Sequence, residues 1–177
     1  YLREGKYVLD KPLMLTSDDG NDSKELIIKN YPGEKTVLSS GIVLDLKWEK
    51  YKNGIMRAVV KGSPVMDMLF VNGELKSMAR YPNYDEKAVR FNGTSALATA
   101  PERVKKWKCP EGGYLHAMHK HDWGDFHYRI TGKNEKGELQ LEGGWQNNRP
   151  MGIHNENRMV ENIFEELDAP GEWYYDK

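Results

Sequence analysis

The clearest structural signal in the chain is LFVNGELK, residues 69–76. Asn72 and Gly73 stand between two short runs of strand-forming residues. Both central residues of a type I′ turn need a positive φ, and the pair Asn-Gly meets that need especially well. The sequence therefore predicts an antiparallel β-hairpin that turns at Asn72 and Gly73.

Upstream of this hairpin, apolar residues come in short bursts separated by Asp, Gly, Asn and Pro. The bursts neither alternate cleanly nor follow a 3.6-residue period, which is typical of strands buried on both faces, as in parallel coils. The YPGE sequence at 31–34 predicts a turn, because Pro32 fixes φ and Gly33 accepts a positive φ. We expect strands at the four bursts, which are residues 7–9, 13–15, 26–28 and 36–38.

Downstream of the hairpin, residues 114–141 predict further strands with glycine-containing turns. Two stretches predict helices. Residues 101–107 begin with Pro and place Val104 and Trp107 on one face. Residues 160–168 carry apolar side chains at the helical spacing i, i+3, i+4 and i+7, and Pro170 follows them.

Composition restricts the function classes. The chain has 177 residues, with 26 Lys plus Arg against 27 Asp plus Glu, so its formal net charge is −1. Without a basic excess, general binding to nucleic acid or to a membrane surface is disfavoured. The longest apolar run, residues 68–71, is far shorter than the roughly 18 residues of a spanning helix. A single cysteine, Cys109, cannot form an intramolecular disulfide, so we expect a core to hold the fold.

Residues 116–127 contain four of the five histidines, which raises the question of a metal site. On a strand, His119 and His121 share one face and His116 points to the other, and the spacing matches no zinc signature. We therefore interpret them as surface or cleft histidines, and we expect no metal and no cofactor. The DDGND sequence at 18–22 is a partial calcium candidate, but turn chemistry explains it more simply.

Aromatic residues beside Asn, Gln, His and Arg indicate a different role for the same region. Aromatic faces stack on the apolar C–H faces of sugars while polar groups bind hydroxyls. For any single aromatic residue a place in the core is the alternative. The loop GGWQNNRP, residues 143–150, displays Trp145 and Arg149 in a polar context that favours ligand contact. The acidic pair Glu165 and Glu166 is interpreted as a solvated helix face rather than as a catalytic pair.

Several motifs together resemble the secreted right-handed parallel β-helix glycosidases of gut and environmental Bacteroidota, and within them glycoside hydrolase family 141, which has fucosidase and xylanase activities. The opening LREGKY at 2–7 and YPGE at 31–34 look like the first β-helix coils of that family. The other motifs are LFVNG at 69–73, MARYPN at 78–83, WG at 123–124, VEN at 160–162 and LDAPGEWY at 167–174.

The resemblance implies a mainly β fold in two parts. Residues 1–46 would form a cap and the first coils of a right-handed parallel β-helix. Residues 47–177 would form an inserted antiparallel β-domain, sandwich- or barrel-like with one or two short helices, that returns to the β-helix at its end. The resemblance covers only the amino-terminal part of such a protein. The family's catalytic carboxylates lie on later coils, so no residue here is assigned a catalytic role, and those coils are an expected partner of this segment.

The implied function is that of a glycoside hydrolase acting on plant or algal polysaccharide, secreted, periplasmic or at the cell surface, with any signal peptide already removed. This segment would provide structure and one wall of the substrate cleft. The residues that we expect to contact a polysaccharide or oligosaccharide are Arg80, His119, Trp123, Trp145 and Arg149. Two alternatives stay open: a non-catalytic carbohydrate-binding β-domain, and a polysaccharide lyase on the same fold.

Overall fold

In a computed structural model the chain forms two compact units, the N-terminal unit of residues 1–62 and the C-terminal unit of residues 63–177. The structure describes residues 1–21, 23–62, 64–146, 149–150 and 152–176, and only the backbone of residues 146, 149 and 150. The chain is mainly β, with a few short helical segments and mostly antiparallel sheets, which confirms the predicted class. Within these ranges no helix has the length and apolar character needed to span a membrane.

The N-terminal unit is built on parallel pairing. Strand β1 (Gly5–Val8) lies parallel to β2 (Thr36–Ser39), and an isolated parallel bridge joins Leu2 to Asn30. Two very short strands, β3 (Glu49–Lys50) and β4 (Met56–Arg57), form an antiparallel pair. The first of the four predicted strand bursts, 7–9, overlaps β1 at Tyr7 and Val8, and the last, 36–38, lies within β2.

The other two bursts, residues 13–15 and 26–28, do not form strands, which corrects the sequence expectation. The structure gives these stretches no neighbouring strand in the described part of the unit, and a strand needs a partner for its backbone groups. In the same part of the chain no residue of the N-terminal unit is buried. Its apolar side chains therefore remain largely in contact with solvent.

The C-terminal unit begins with the predicted hairpin. Strand β5 (Leu69–Val71) pairs antiparallel with β6 (Glu74–Lys76). Asn72 and Gly73 both have positive φ, 54° and 84°. A two-residue turn of this type requires both values to be positive. The prediction from Asn-Gly is confirmed.

A five-stranded antiparallel sheet forms the body of this unit. Its strands are β7 (Arg80–Tyr81), β8 (Tyr114–His119), β9 (Asp125–Lys133), β10 (Leu139–Gly143) and β13 (Ile153–Glu161). Their order across the sheet is β10-β9-β8-β13-β7. A small antiparallel pair, β11 (Trp145–Gln146) and β12 (Arg149–Pro150), follows β10 in the chain.

The core lies on one face of this sheet, under two short helical segments. Helix α1 (Pro101–Val104) starts with Pro at a helix N-terminus, as predicted, and a 3₁₀ turn (Ala96–Thr99) precedes it. The fully buried core includes Val104, Trp107, Leu115, Ala117, Ile130, Val160 and Ile163. Where we expect a sandwich or barrel, the main sheet is open, and these helical segments cover its apolar face.

The predicted helix over 160–168 is wrong. Val160 and Glu161 are the last residues of β13, and only a 3₁₀ turn (Phe164–Glu166) follows. Asn162 has a φ of 55°. This is a left-handed conformation that no right-handed helix accommodates. The apolar spacing arises because a strand end and the following turn each place a side chain in the same core.

The interpretation of Glu166 as part of a solvated face is also wrong, because only 4% of it is exposed. Its carboxylate accepts hydrogen bonds from Trp107 Nε1 at 2.7 Å and from Arg103 at 2.7 Å. Glu166 therefore joins the 3₁₀ turn to the helical cover of the sheet.

The segments that lead into and out of the five-stranded sheet lie side by side. Met78 and Trp173 form a parallel bridge, with the Ala79 N–H donating to the Trp173 carbonyl at 2.6 Å. The Asn162 side chain binds the backbone of Tyr175 through both its amide nitrogen and its oxygen. The chain therefore leaves this sheet beside the place where it enters it.

Candidate functional site

The segment 82–94, which follows β7, lines the candidate site. It walls a cavity of about 590 Å³ at one end of the sheet. This volume falls within the range of about 300–1,000 Å³ that is usual for small-molecule sites. The polar side chains that line the cavity are Asn83, Asp85, Arg90, Thr94 and Asn157.

The backbone of segment 82–94 is folded on itself. The Asp85 N–H donates to the Asn92 carbonyl at 2.8 Å, and the Gly93 N–H donates to the Arg90 carbonyl at 2.9 Å. Phe91, Asn92 and Gly93 have successive positive φ values of 47°, 50° and 126°. A positive φ is unusual for a bulky residue such as Phe91, and strain of this kind is concentrated at functional sites.

Arg80 holds the two ends of this segment together. It is only 5% exposed, and its guanidinium donates to the Pro82 carbonyl at 2.8 Å and to the Gly93 carbonyl at 2.9 Å. A Cβ added at Gly93 would lie 3.2 Å from the Asn83 carbonyl oxygen and 3.5 Å from the Arg80 guanidinium. Arg80 therefore acts on the cavity by positioning its wall.

The turn between β8 and β9 reaches the cavity through Asp122. The Asp122 carboxylate accepts hydrogen bonds from Arg90 and, at 3.4 Å, from Asn157, two of the cavity-lining residues. His154 Nε2 lies 3.8 Å from the same carboxylate. The hydrogen bond from Arg90, aided by the other nearby donors, lowers the pKa of Asp122.

Next to Asp122, the Trp123 indole forms an exposed platform. Its ring is 76% exposed and stacks on His119, with centroids 5.0 Å apart and planes 16° apart. His119 is only 3% exposed, and its Nδ1 accepts the His121 N–H at 3.1 Å. Burial, followed by the charges of His121 and Lys120, lowers the pKa of His119, which keeps this imidazole neutral at pH 7.

A second polar cluster lies on the sheet face opposite the core. His116 Nε2 lies 2.7 Å from Glu161 Oε1, and the His127 ring contacts the His116 ring with centroids 4.3 Å apart. Burial raises the pKa of Glu161, but the hydrogen bond from His116 and the charges of His116, Arg80 and His127 outweigh it, so the net pKa is lowered. The Phe91 ring lies 6.2 Å from His116 and connects this cluster to the cavity wall.

The structure separates the residues that we expect from sequence to contact sugar. His119 and Trp123 stack on each other, as described, whereas Arg80 is buried behind the cavity wall. Trp145 begins β11 and is 63% exposed. The Arg149 side chain lies outside the described part of the structure, although its backbone pairs with Gln146.

Sequence reasoning missed the residues that line the cavity. Arg90 and Asp122 are 32 positions apart, and no local pattern indicates that they meet. One signal was present, because Asn92-Gly93 is the same turn-forming dipeptide as Asn72-Gly73. It predicts a tight turn but does not predict what the turn encloses.

The described residues contain no group of three or more His, Cys, Asp or Glu side chains arranged to hold a metal ion. In the partial calcium candidate at 18–22, Asp19 accepts hydrogen bonds from the Thr16 N–H at 2.7 Å and from its hydroxyl at 3.0 Å. This is turn chemistry. Asp22 lies outside the described residues.

No protein-family model, curated protein or solved structure matches this chain. The candidate site therefore has to be interpreted from its own geometry.

Proposed function

We propose that the chain is the amino-terminal portion of a parallel β-helix carbohydrate-active enzyme, a glycoside hydrolase of plant or algal polysaccharide, and that its C-terminal unit forms one wall of the glycan-binding cleft. One observation carries the proposal. The exposed indole of Trp123 stacks on the buried, neutral imidazole of His119, and the adjacent Asp122 accepts a hydrogen bond from Arg90, which lines a polar cavity.

Sugar recognition needs the two kinds of surface that meet here. The apolar C–H face of a pyranose stacks on an aromatic ring, and a ring that is already fixed loses little entropy on binding. Sugar hydroxyls both donate and accept hydrogen bonds, which suits a cavity lined by amide, guanidinium, carboxylate and hydroxyl groups. Trp123 supplies the first surface, and residues such as Asn83, Asp85 and Arg90 supply the second.

The strand pairing supports the β-helix part of the proposal. Leu2 pairs in parallel with Asn30, 28 positions later, and Gly5 pairs with Thr36, 31 positions later. A parallel pair whose partners lie about 30 residues apart is what two neighbouring coils of a β-helix would produce. Met78 and Trp173 are also parallel partners but lie 95 positions apart, which fits one coil interrupted by a large insertion.

The exposed apolar side chains of the N-terminal unit support the same interpretation, since a coil buries its apolar surface against the next coil. Leu13, Met14 and Ile27 are all more than half exposed. In the proposed whole protein, further coils would cover them. The catalytic carboxylates and an extracellular or periplasmic location belong to the same proposal, as the family resemblance implies.

The test is a panel of neutral and acidic plant and algal oligosaccharides, applied to this chain and to the full gene product. We expect Trp123→Ala to weaken binding about tenfold, because a ring contact contributes on the order of 1 kcal/mol. Trp123→Phe keeps a ring and should retain most of the affinity. Trp48→Ala, a change of the same size at another exposed Trp, should leave affinity unaltered. Absence of binding and of turnover across the panel would refute the proposal.

A non-catalytic carbohydrate-binding domain is the second candidate, favoured by the self-contained core of the C-terminal unit. An intact mass of the gene product near 20.4 kDa, together with glycan binding and no turnover, would favour it over the hydrolase. A lyase would be indicated by calcium-dependent cleavage restricted to uronate-containing chains.

A further inference from the structure

We propose that the cavity behind segment 82–94 selects a neutral sugar residue and discriminates against one that carries a carboxylate or a sulfate. This inference rests on the proposed function and adds to it the substrate class of this subsite. The charges around the cavity carry it.

Arg90 is the only cationic side chain among the residues that line the cavity in the described part of the chain. Its guanidinium is already bonded to the Asp122 carboxylate, and this bond lowers the pKa of Asp122. An anionic ligand that used Arg90 would have to compete with Asp122. The positive charge of Arg90 is therefore largely compensated before any ligand arrives.

His154 also faces Asp122 but is not among the described residues that line the cavity. Its Nδ1 accepts the N–H groups of Glu156 and Asn157, both at 3.0 Å, so Nε2 is the ring nitrogen that is directed at the Asp122 carboxylate. Arg90 and His154 are therefore both directed at Asp122.

Asp85 contributes a carboxylate to the cavity lining. One of its carboxylate oxygens accepts the backbone N–H of Lys87 at 2.9 Å. The charged side chains among the described residues of the lining are Arg90 and Asp85, and because Arg90 is paired with Asp122, Asp85 is the charge that a ligand would meet. A second anion placed in this cavity would be repelled, whereas hydroxyls can donate to Asp85 and accept from Arg90.

The test compares two oligosaccharides that differ only in the oxidation of one residue, a neutral hexose against its uronate. Binding to the full chain would be measured by calorimetry at pH 7 and physiological ionic strength. We expect the wild type to prefer the neutral ligand about tenfold or more. Asp122→Asn, which releases Arg90, should reduce or invert that preference, and Asp85→Asn should reduce it severalfold.

Glu135→Gln is the matched control, because it makes the same charge change in the turn between β9 and β10 and should leave the preference unchanged. Denaturation midpoints of all variants would identify a substitution that merely unfolds the chain. If Asp122→Asn unfolds it, Asp85→Asn provides the test instead. Equal wild-type affinity for the two ligands, or a preference that neither Asp variant alters, would overturn this inference and leave the proposed function standing. No binding of either ligand would overturn both.

Discussion

The two units differ in how far they bury their apolar side chains. In the described part of the N-terminal unit no residue is buried, and side chains such as Leu13 and Ile27 face solvent. In the C-terminal unit Trp107, Leu115 and Ile130 are essentially inaccessible to solvent. Apolar content alone therefore does not make a core.

The difference lies in whether a second layer covers the strands. A pair of parallel strands has two faces and open edges, and repeat architectures cover them with the next repeat. Helical segments cover one face of the five-stranded sheet. The sheet and this cover together make two layers, which is the minimum for a stable domain. This contrast can be tested by experiments on one region with a matched control in the other.

The largest expected contrast is in amide hydrogen exchange. Amides of β8, β9 and β13 should exchange only through global unfolding, whereas those of β1 and β2 should exchange through local opening at little cost. We expect protection factors to differ by about 1,000-fold or more, since global unfolding costs about 5–15 kcal/mol. Exchange followed by mass spectrometry on the 177-residue chain measures this. Equal protection in both units would show that the N-terminal unit is covered after all.

Replacing one tryptophan in each unit should give the next largest contrast. The Trp107 ring is 1% exposed and donates a hydrogen bond to Glu166. Trp107→Ala should lower the free energy of unfolding by about 3–5 kcal/mol. The Trp48 ring is 54% exposed. Trp48→Ala should change the same free energy by about 0.5 kcal/mol or less. Urea unfolding followed by circular dichroism gives both values, and similar losses would contradict the contrast.

The two units also contain arginines in opposite environments. Arg80→Met removes the donors that join Pro82 to Gly93. It should lower the free energy of unfolding by about 3 kcal/mol, because two carbonyls lose their partners. Arg57→Met removes an exposed ion pair with Glu49 and should cost about 0–1 kcal/mol. The same urea titrations apply. A small effect of Arg80→Met would mean that the cavity wall does not depend on this clamp.

The smallest effect concerns the response of stability to acid. The pKa of Glu161 is lowered in the folded state. Its contribution to stability is therefore present above the ordinary Glu value of about 4.3 and is lost as pH falls through the folded pKa. His116→Phe removes the hydrogen-bond partner of Glu161 and should cost about 1–3 kcal/mol at pH 7.

In the His116→Phe variant, burial of Glu161 without that partner raises its pKa, so the acid-side loss of stability should flatten or reverse. Urea unfolding from pH 7 down to about pH 3 would test this. Asp125→Asn on the same sheet face, where the Asp125 and His127 side chains are largely exposed, is the control and should keep the wild-type slope. An unchanged slope in His116→Phe would show that the pair does not control the acid response.

The features predicted correctly from sequence are those that short-range rules determine. The hairpin at Asn72-Gly73 and the helix start at Pro101 depend on φ preferences of one or two residues. The false helix at 160–168 shows the limit, because its apolar spacing is real but Asn162 turns the backbone the other way.

The candidate site depended on side chains that are far apart in sequence. Trp123 could be selected because a ring in a polar turn is noticeable in the sequence alone. The bond between Arg90 and Asp122 depends on where segment 82–94 meets the β8–β9 turn, which only tertiary structure determines. Arg80 illustrates the converse, since its residue type suggested ligand contact and its burial gives it a positioning role.

The parallel bridge between Met78 and Trp173 has a consequence for how such proteins diversify. Because the segments that lead into and out of the sheet are held one strand apart, the roughly ninety residues between them can be exchanged without redirecting the rest of the chain. Selection could replace the residues between Met78 and Trp173 with a segment of different binding preference, while the backbone path of the flanking segments stayed the same. Sequence divergence should therefore be greatest between these two residues and least at the bridge itself.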